Sequence, residues 1–369
     1  MKTISYKINR LEHKIFIERN SLKRIIYDLK NLDTDRKILF IYDENINKKI
    51  INIYLSSLKA LGCSIVYLSV KGGKENKNID FLLTIINKLS NLQFTRKSVI
   101  ISFGGGVVGD VSALAACLYM RGMIYFHIPS TMMAILDSCI GGKTAVNFNH
   151  RINLIGTYYH PLRVYISDEV IKNIPEKEYF HGISEAIKCG IIDNKNILKI
   201  LEFNKKKIFL RDYKTIENLC FLVLKSKIKF FLNDVMENNL RLILNFGHTF
   251  AHAIEMALAQ NFNNKEKLSH GEAVSIGMLC EMYYANTKKN FFDKITNLIN
   301  QYNLPTQFVC PSKKNLGLLQ KNIHRNIFLD KKKIGRYPKY IHVKKQGKPL
   351  VKYLENSNRI DEVIFNFIK

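Results

Sequence analysis

SVIISFGGGVVGD, residues 98–110, is the stretch on which the fold depends. Its β-branched run over 98–103 predicts a buried strand, the three glycines over 104–106 predict a turn, and residues 110–120 predict a helix. A turn of this kind points backbone N–H groups and a helix N-terminus at one place, which suits a pyrophosphate. Gly104, Gly106 and Gly109 match G-x-G-x-x-G in the strand-to-helix context that a dinucleotide-binding turn requires.

The segment after the glycines departs from the usual dinucleotide-binding pattern. No Asp or Glu occurs between Val111 and Leu136, where the ribose-binding carboxylate of a Rossmann domain would lie. We therefore predict a dinucleotide-binding turn of a non-standard kind, and a purely structural glycine turn is the alternative.

Length and composition predict a folded protein of two domains. The 369 residues are 47% hydrophobic, enough for two cores. Nowhere do about 18 apolar residues run together, and the first residues contain no uninterrupted apolar segment of the kind found in signal peptides. We therefore expect a soluble cytoplasmic protein without a membrane partner.

Cysteine spacing and net charge bear on two further classes, disulfide-stabilised proteins and nucleic-acid-binding proteins. The 7 cysteines are scattered and nowhere form C-x-x-C, which is typical of reduced thiols rather than of a disulfide framework. The 57 basic and 31 acidic side chains give a net charge of +26, for which a nucleic-acid partner is one explanation. Because the lysines are spread along the whole chain, we favour a general shift of the surface composition toward lysine and predict no nucleic-acid partner. Part of the excess charge can serve an anionic substrate.

Short β-branched runs alternate with helical segments in the first half of the chain. Strands are predicted over 14–18, 37–42, 63–70, 123–128 and 163–166, and helices over 47–61 and 80–92. This alternation predicts a parallel sheet covered on both faces. After Ser167 the pattern is helical, over 182–192, 196–207, 212–231, 247–259, 271–285 and 293–302. We predict an α/β domain over 1–170 and a mostly helical domain over 171–369, with the basic segment 330–349 as a hairpin or loop.

The helical half contains a candidate metal site. NFGHTFAHAIE places four polar residues at steps of three, four and three, which would form one stripe on a helix: Asn245, His248, His252 and Glu255. LSHGEA offers His270 and Glu272 in the loop before the next helix, and Glu185 shares a helical face with Lys188. Two imidazoles and one carboxylate leave an open position on a tetrahedral zinc, as catalytic sites do. Ordinary core or surface histidines are the alternative.

Several cations lie in otherwise apolar segments: Lys143, Lys188, Lys227 and Arg241. A solvated side chain is the alternative for each, above all for Lys227 between Lys225 and Lys229. Arg241 lies four residues before Asn245, where a guanidinium can hold a carboxylate or phosphate bidentately.

GGKT over 141–144 is not a phosphate loop, because the first glycine of that motif would fall at Asp137. We predict that Asp137 is a polar group near cofactor or substrate, with a helix cap as the alternative.

Five long segments give the chain a resemblance to the 3-dehydroquinate synthase family, in order and over nearly the whole length: GGGVVGD, DSCIGGKTAVN, GISEAIKCGII, LNFGHTFAHAIE and SHGEAVSIGM. The resemblance implies an α/β fold in which an N-terminal Rossmann-like parallel-sheet domain binds NAD and a mostly α-helical domain binds the metal. It also implies a cleft between the domains and a homodimer.

Residue roles follow from the resemblance by matching positions. Glu185, His248 and His270 look like ligands of Zn²⁺, with Co²⁺ as an alternative ion. Residues similar to those of the family's substrate site are Asp137, Lys143, Asn153, Lys188, Lys227, Arg241, Asn245 and His252, with one of Lys331 and Lys332 and with Arg121 reaching a neighbouring subunit. Residues similar to NAD contacts are Gly105, Gly106, Val107, Val108, Gly109, Asp110, Ser130, Thr131, Lys143 and Lys77.

The implied reaction is the conversion of 3-deoxy-D-arabino-heptulosonate 7-phosphate into 3-dehydroquinate and phosphate. It proceeds by transient oxidation with NAD, phosphate elimination, re-reduction and intramolecular aldol closure. Another sugar-phosphate cyclase, or a metal-dependent polyol or alcohol dehydrogenase, is the alternative.

Three positions differ from the family pattern. Ile152 stands where relatives have a lysine facing NAD, Lys74 replaces the ribose-side carboxylate although Glu75 is adjacent, and Asn173 stands where threonine is usual. A lost charge-assisted contact costs about 1.5 to 3 kcal/mol, so we predict roughly ten- to hundredfold weaker NAD binding than in an ordinary family member.

Overall fold

The computed structural model describes residues 1–149, 151–262, 268–329 and 337–369. The chain divides into two compact units, the first comprising residues 1–179 and 211–228 and the second 180–210 and 229–369. The expected domain boundary after residue 170 stays a prediction.

The first unit is built on nine strands: β1 (Lys2–Ile8), β2 (Leu11–Glu18), β3 (Lys37–Asp43), β4 (Ser64–Val70), β5 (Val99–Gly104), β6 (Ile124–Pro129), β7 (Lys143–Phe148), β8 (Arg151–Tyr158) and β9 (Arg163–Ser167). Seven of them form one sheet in the order β1-β2-β9-β6-β5-β3-β4. β1 and β2 pair antiparallel, and the other neighbours in this sheet pair parallel. β7 and β8 form a separate antiparallel hairpin.

Helices cover both faces of this sheet. They are α1 (Leu22–Asn31), α2 (Lys48–Ala60), α3 (Ile79–Asn91), α4 (Gly106–Leu118) and α5 (Asp168–Lys172). Successive side chains of a strand point to opposite faces, and accordingly Ile38 and Phe40 pack into one apolar core while Leu39 and Ile41 pack into the other. The predicted α/β class and two-sided sheet are confirmed.

The second unit is mostly helical, as predicted. Its helices are α6 (Glu176–Ile192), α7 (Lys195–Phe203), α8 (Lys205–Phe209), α10 (His248–Phe262), α11 (His270–Tyr284), α12 (Lys289–Gln301), α13 (Lys313–Phe328) and α14 (Ser357–Phe367). α9 (Tyr213–Leu232) belongs to the first unit as far as Ile228, and α6 has its first residues, as far as Tyr179, in that unit as well. A hairpin of β10 (Lys339–Val343) and β11 (Pro349–Tyr353) agrees with one of the two predicted forms of the basic segment, whose residues 330–336 lie outside the described part.

Several predicted boundaries are wrong. α6 begins at Glu176 rather than at 182, and α12 begins at Lys289 rather than at 293. α4 begins at Gly106 rather than at 110, because Gly105 already acts as N-cap and its carbonyl accepts the N–H of Gly109 at 3.0 Å. The helix predicted over 196–207 is interrupted at Asn204, which caps α8. Helix α11 begins at His270, which the sequence placed in a loop. Among the described helices, none combines the length and the apolar character that crossing a bilayer requires.

Candidate active site

The glycine turn joins β5 to α4 with almost no space for side chains. A Cβ on Gly104 would lie 2.5 Å from Cβ of Val108, and one on Gly105 would lie 3.1 Å from Cγ2 of Thr131. The N–H of Ser130 donates to the Gly104 carbonyl at 3.0 Å. The predicted cofactor residues of 105–110 and 130–131 are therefore neighbours at the carboxyl ends of β5 and β6, where α/β sheets bind ligands.

Lys77 connects two further predicted positions. Its Nζ lies 2.5 Å from Oδ2 of Asp110 and donates to Oδ1 of Asn153 at 2.6 Å. Burial raises the pKa of Asp110, and the charge of Lys77 acts in the opposite direction. Asn153 has a φ of +52°, a left-handed conformation that asparagine tolerates better than most residues. The first unit thus brings together one predicted substrate residue and two predicted cofactor residues.

The β7–β8 hairpin carries Lys143 and Ile152. Lys143 opens β7 with an exposed side chain, directly after Gly142. Gly142 has a φ of +65°, and a Cβ there would lie 2.5 Å from Nε2 of His160, so only glycine fits. The Ile152 side chain is 57% exposed. Thr144 follows Lys143 in β7 and donates its hydroxyl to the carbonyl of Asp110.

Asp137 and Lys227 form an ion pair within the first unit. Lys227 is only 5% exposed, and its Nζ contacts the Asp137 carboxylate and donates to the Asp137 carbonyl at 2.9 Å. The solvated alternative for Lys227 is therefore wrong. Asp137 lies inside a single π-helical turn, Ala134–Ser138, so the helix-cap alternative is wrong as well.

Arg121 lies in a strained turn after α4. Met120, Arg121 and Gly122 have φ values of +50°, +63° and +120° in succession, and consecutive left-handed residues other than glycine are uncommon. The Arg121 side chain is exposed. Its predicted role toward a neighbouring subunit stays a prediction, and Lys331 and Lys332 lie outside the described residues.

The second unit brings Glu185, His248 and His270 together. Each offers a ligand atom within 4.8 Å of the others, and Nε2 of His248 lies 4.0 Å from Oε1 of Glu185. The three come from α6, α10 and α11, and the Glu185 side chain is 0% exposed. Lys188, one turn along α6 and 1% exposed, lies 2.5 Å from Oε2 of Glu185. Two imidazoles and a carboxylate are a donor set that fits a catalytic zinc ion.

The predicted stripe of four polar residues is broken at its first member. Asn245 ends a short 3₁₀ turn, Leu240–Asn245, and Gly247, with a φ of +81°, separates it from α10. Only His248, His252 and Glu255 share the helix. Asn245 donates to Oε1 of Glu237 at 2.7 Å, and together with His248 and His252 it lines one pocket.

Arg241 belongs to the same 3₁₀ turn and is 4% exposed. One guanidinium nitrogen donates to the Val235 carbonyl at 2.8 Å, and the group lies 5.7 Å from the centre of the Phe231 ring. This places the predicted anion-binding arginine in a buried position within the unit that holds the histidines.

The sequence analysis did not identify the hydrogen bonds that hold the metal-binding region in place. Ser269 and Glu272 form a capping box at the start of α11, and Glu272 lies 3.5 Å from His181. The hydrogen bond with His181 lowers the pKa of Glu272 to about 2. The S-x-x-E spacing was a readable signal for this cap. For the buried Glu281 there was no signal, because its partner Ile341 lies 60 residues away in sequence.

Comparison with known proteins agrees with this architecture. The family model described as 3-dehydroquinate synthase N-terminal matches residues 67–181, and the one described as 3-dehydroquinate synthase C-terminal matches residues 182–333. The chain is 35% identical to the 3-dehydroquinate synthase of Clostridium kluyveri over 354 residues, covering 94% of each protein.

Two solved structures share the fold at lower identity. A 2-deoxy-scyllo-inosose synthase complexed with carbaglucose-6-phosphate, NAD+ and Co2+ is 23% identical with a TM-score of 0.85, covering 99% of this chain and 100% of that chain. The 2-epi-5-epi-valiolone synthase of Streptomyces hygroscopicus subsp. jinggangensis, with NAD+ and Zn2+ bound, is 18% identical with a TM-score of 0.85 and 98% coverage of both chains. The sequence matches span both halves of the chain, and on that ground it belongs to the 3-dehydroquinate synthase family.

Proposed function

We propose that the chain is a carbon–oxygen lyase that converts 3-deoxy-D-arabino-heptulosonate 7-phosphate into 3-dehydroquinate and phosphate, a step of the shikimate pathway to aromatic amino acids. The observation that carries the proposal is the convergence of Glu185, His248 and His270 in a chain that matches both family models. The 3-dehydroquinate synthases among its relatives supply the name of the reaction.

Zn²⁺, or Co²⁺ in its place, fits the three-residue donor set and would lower the pKa of a bound substrate alcohol. Glu185 supplies the anionic ligand, and Lys188 at 2.5 Å holds that carboxylate in place. His248 is oriented by its own backbone surroundings, since Nδ1 lies 3.1 Å from the Phe246 carbonyl oxygen and Nε2 is left to face Glu185. A hydrogen-bonded Nδ1 fixes the tautomer of a metal-binding imidazole.

NAD fits the glycine turn and would supply a hydride acceptor that is regenerated within each turnover. Residues 105–110 present the N-terminus of α4 to the pyrophosphate, and Gly104 and Gly105 keep side chains out of its path. Lys77 contributes positive charge beside Asp110 and Asn153.

The substrate is a carboxylate and a phosphate ester, and the proposed contacts are cationic. We assign its anionic groups to Lys143, Lys227 and Arg241, whose charge-assisted hydrogen bonds are the strong kind. Lys227 and Arg241 are buried, so their charges are poorly screened by water. His252 is exposed on α10 beside His248, with ring centres 5.4 Å apart, and we assign it proton transfer at the substrate oxygen.

Phosphate release from the heptulosonate phosphate tests the proposal, with NAD and Zn²⁺ each supplied or withheld and absorbance followed for NADH. We expect release to need both, with 3-dehydroquinate formed and no lasting NADH. His248→Ala should abolish release, whereas His324→Ala, a histidine on α13 paired with Asp361, is the matched control. Net accumulation of NADH would identify a dehydrogenase, and absence of release at saturating NAD and metal would refute the assignment.

The proposal extends to a cytoplasmic homodimer in which Arg121 serves the neighbouring subunit. Sedimentation measures the assembly, and mixed dimers of Arg121→Ala with His248→Ala test the arginine. If Arg121 acts across subunits, one site of each mixed dimer has both residues and activity returns. If it acts within its own subunit, every site lacks one of them and the mixture stays inactive.

A further inference from the structure

Glu255 and His270 form a contact in the metal-binding region to which the proposed function gives no role. Oε2 of Glu255 lies 3.4 Å from Nδ1 of His270, with side chains 19% and 34% exposed. Glu255 lies on α10 seven residues after His248, so the two side chains occupy one face two turns apart. One rigid helix therefore carries a candidate ligand and the carboxylate that touches another.

His270 is the candidate ligand least constrained by packing. Its side chain is 34% exposed, against 12% for His248 and 0% for Glu185. Its backbone is fixed at the start of α11, where a Cβ on Gly271 would lie 2.0 Å from the His181 carbonyl oxygen. The rotation of the imidazole ring is not fixed by that backbone. The ring lies 5.2 Å from the ring of His248 and 5.9 Å from that of His252, and Glu255 contacts its Nδ1.

We propose that Glu255 is a positioning residue for the metal site, accepting the Nδ1–H of His270 so that Nε2 of the same ring faces the ion. The inference rests on the proposed metal-dependent function. A carboxylate behind a ligating histidine fixes its tautomer and raises its basicity, and loss of such a partner typically weakens metal binding about 10- to 100-fold.

A different use of the same side chains is a second ligand set. His252, Glu255 and His270 also offer ligand atoms within 4.8 Å of one another. In that arrangement Glu255 would bind the ion itself, and the ion would lie among more exposed groups, since His252 is exposed while Glu185 is buried. The set that contains Glu185 has a fully buried donor, whereas the other set has none, which is why we place the ion at the first set and assign Glu255 to positioning His270.

Metal titration of the full chain distinguishes the two arrangements. Metal-free wild type, Glu255→Ala, Glu255→Gln and the control Met256→Ala are titrated with Co²⁺ in competition with a chelator, and bound metal is counted per chain. We expect one ion per chain in all four and about 10- to 100-fold weaker binding in Glu255→Ala. Glu255→Gln should recover most of that affinity because its amide oxygen still accepts the Nδ1–H. Met256 is 40% exposed on the same helix, and Met256→Ala should leave the metal affinity unchanged.

Equal affinity of Glu255→Ala and wild type would overturn the inference. So would two ions per wild-type chain with one lost in both Glu255 variants, since Glu255 would then be a ligand. Thermal melting of the metal-free forms shows whether a variant has lost its fold rather than its metal affinity, and the Gln variant keeps the side-chain volume in either case. A wild-type chain that binds no ion would instead refute the proposed function.

Discussion

Glu281 gives the sharpest prediction about stability. This carboxyl on α11 is 0% exposed, and the backbone N–H of Ile341 donates to its Oε2 at 3.0 Å. Burial raises the pKa of Glu281 to about 8 from an ordinary value of 4.5, against the opposing effect of hydrogen bonds from the backbone of Ile341, Gly247 and Thr249 and of the charge on Lys188. The buried group therefore keeps its proton at neutral pH.

The sign of the pH effect follows from where the proton is held. Between pH 4.5 and about 8 the folded chain retains a proton on Glu281 that the unfolded chain has lost. The contribution of Glu281 to the free energy of unfolding is therefore fully present below pH 4.5. It falls by about 1.4 kcal/mol per pH unit above that pH and levels off beyond about pH 8. At pH 8 the loss amounts to about 4 kcal/mol. Glu281→Gln, which is neutral at every pH, removes this loss.

Urea unfolding of the metal-free chain, followed by far-ultraviolet circular dichroism between pH 5 and 8.5, measures the effect. We expect the free energy of unfolding of Glu281→Gln to rise relative to wild type as the pH increases, with the difference approaching about 4 kcal/mol at pH 8. Glu355→Gln, at an exposed position before α14, is the control and should give a profile parallel to wild type. Parallel profiles for Glu281→Gln and wild type would show that Glu281 is ionised in the folded chain and would refute the reasoning.

Five further substitutions test packing, cofactor binding and substrate binding. Gly277→Ala places a Cβ 2.0 Å from a backbone oxygen at the start of α10, so we expect a large fall in melting temperature. Gly317→Ala, with nothing within 4 Å, should instead stabilise α13 by about 1 kcal/mol. Ile152→Lys should tighten NAD binding about ten- to hundredfold by calorimetric titration, and an unchanged affinity would count against the family comparison at this position. Lys227→Met should lower kcat/KM for phosphate release at least about tenfold, while the exposed Lys225→Met should not; equal losses would contradict a site role for Lys227.

Elements that depend on local pattern could be predicted from the sequence. The strand predicted over 37–42 is β3 (Lys37–Asp43), and the helix predicted over 47–61 is α2 (Lys48–Ala60) with Asn47 as its cap. In both cases the signal is a short apolar periodicity bounded by polar residues, and burial in a two-sided sheet requires that pattern. Two hairpins of adjacent segments were missed, β1 with β2 at the edge of the sheet and β7 with β8. β8 is exposed over almost its whole length, so burial imposes no apolar pattern on it.

The metal ligands show most clearly what spacing alone can give. Periodicity brought together His248, His252 and Glu255, which do share α10, but it could not reach Glu185 on α6 or decide which of two overlapping sets is buried. Only the family resemblance assigned Glu185, because helix packing and not sequence distance brings the three helices together.

Packing also explains why that assignment points to chemistry. Glu185 and Lys188 are 0% and 1% exposed, and a buried ion pair of this kind is often less stabilising than apolar residues of the same size. A carboxylate held in this position beside two imidazoles is therefore poorly explained by stability. It is what a site needs if it is to hold a cation at a fixed place, away from competing water.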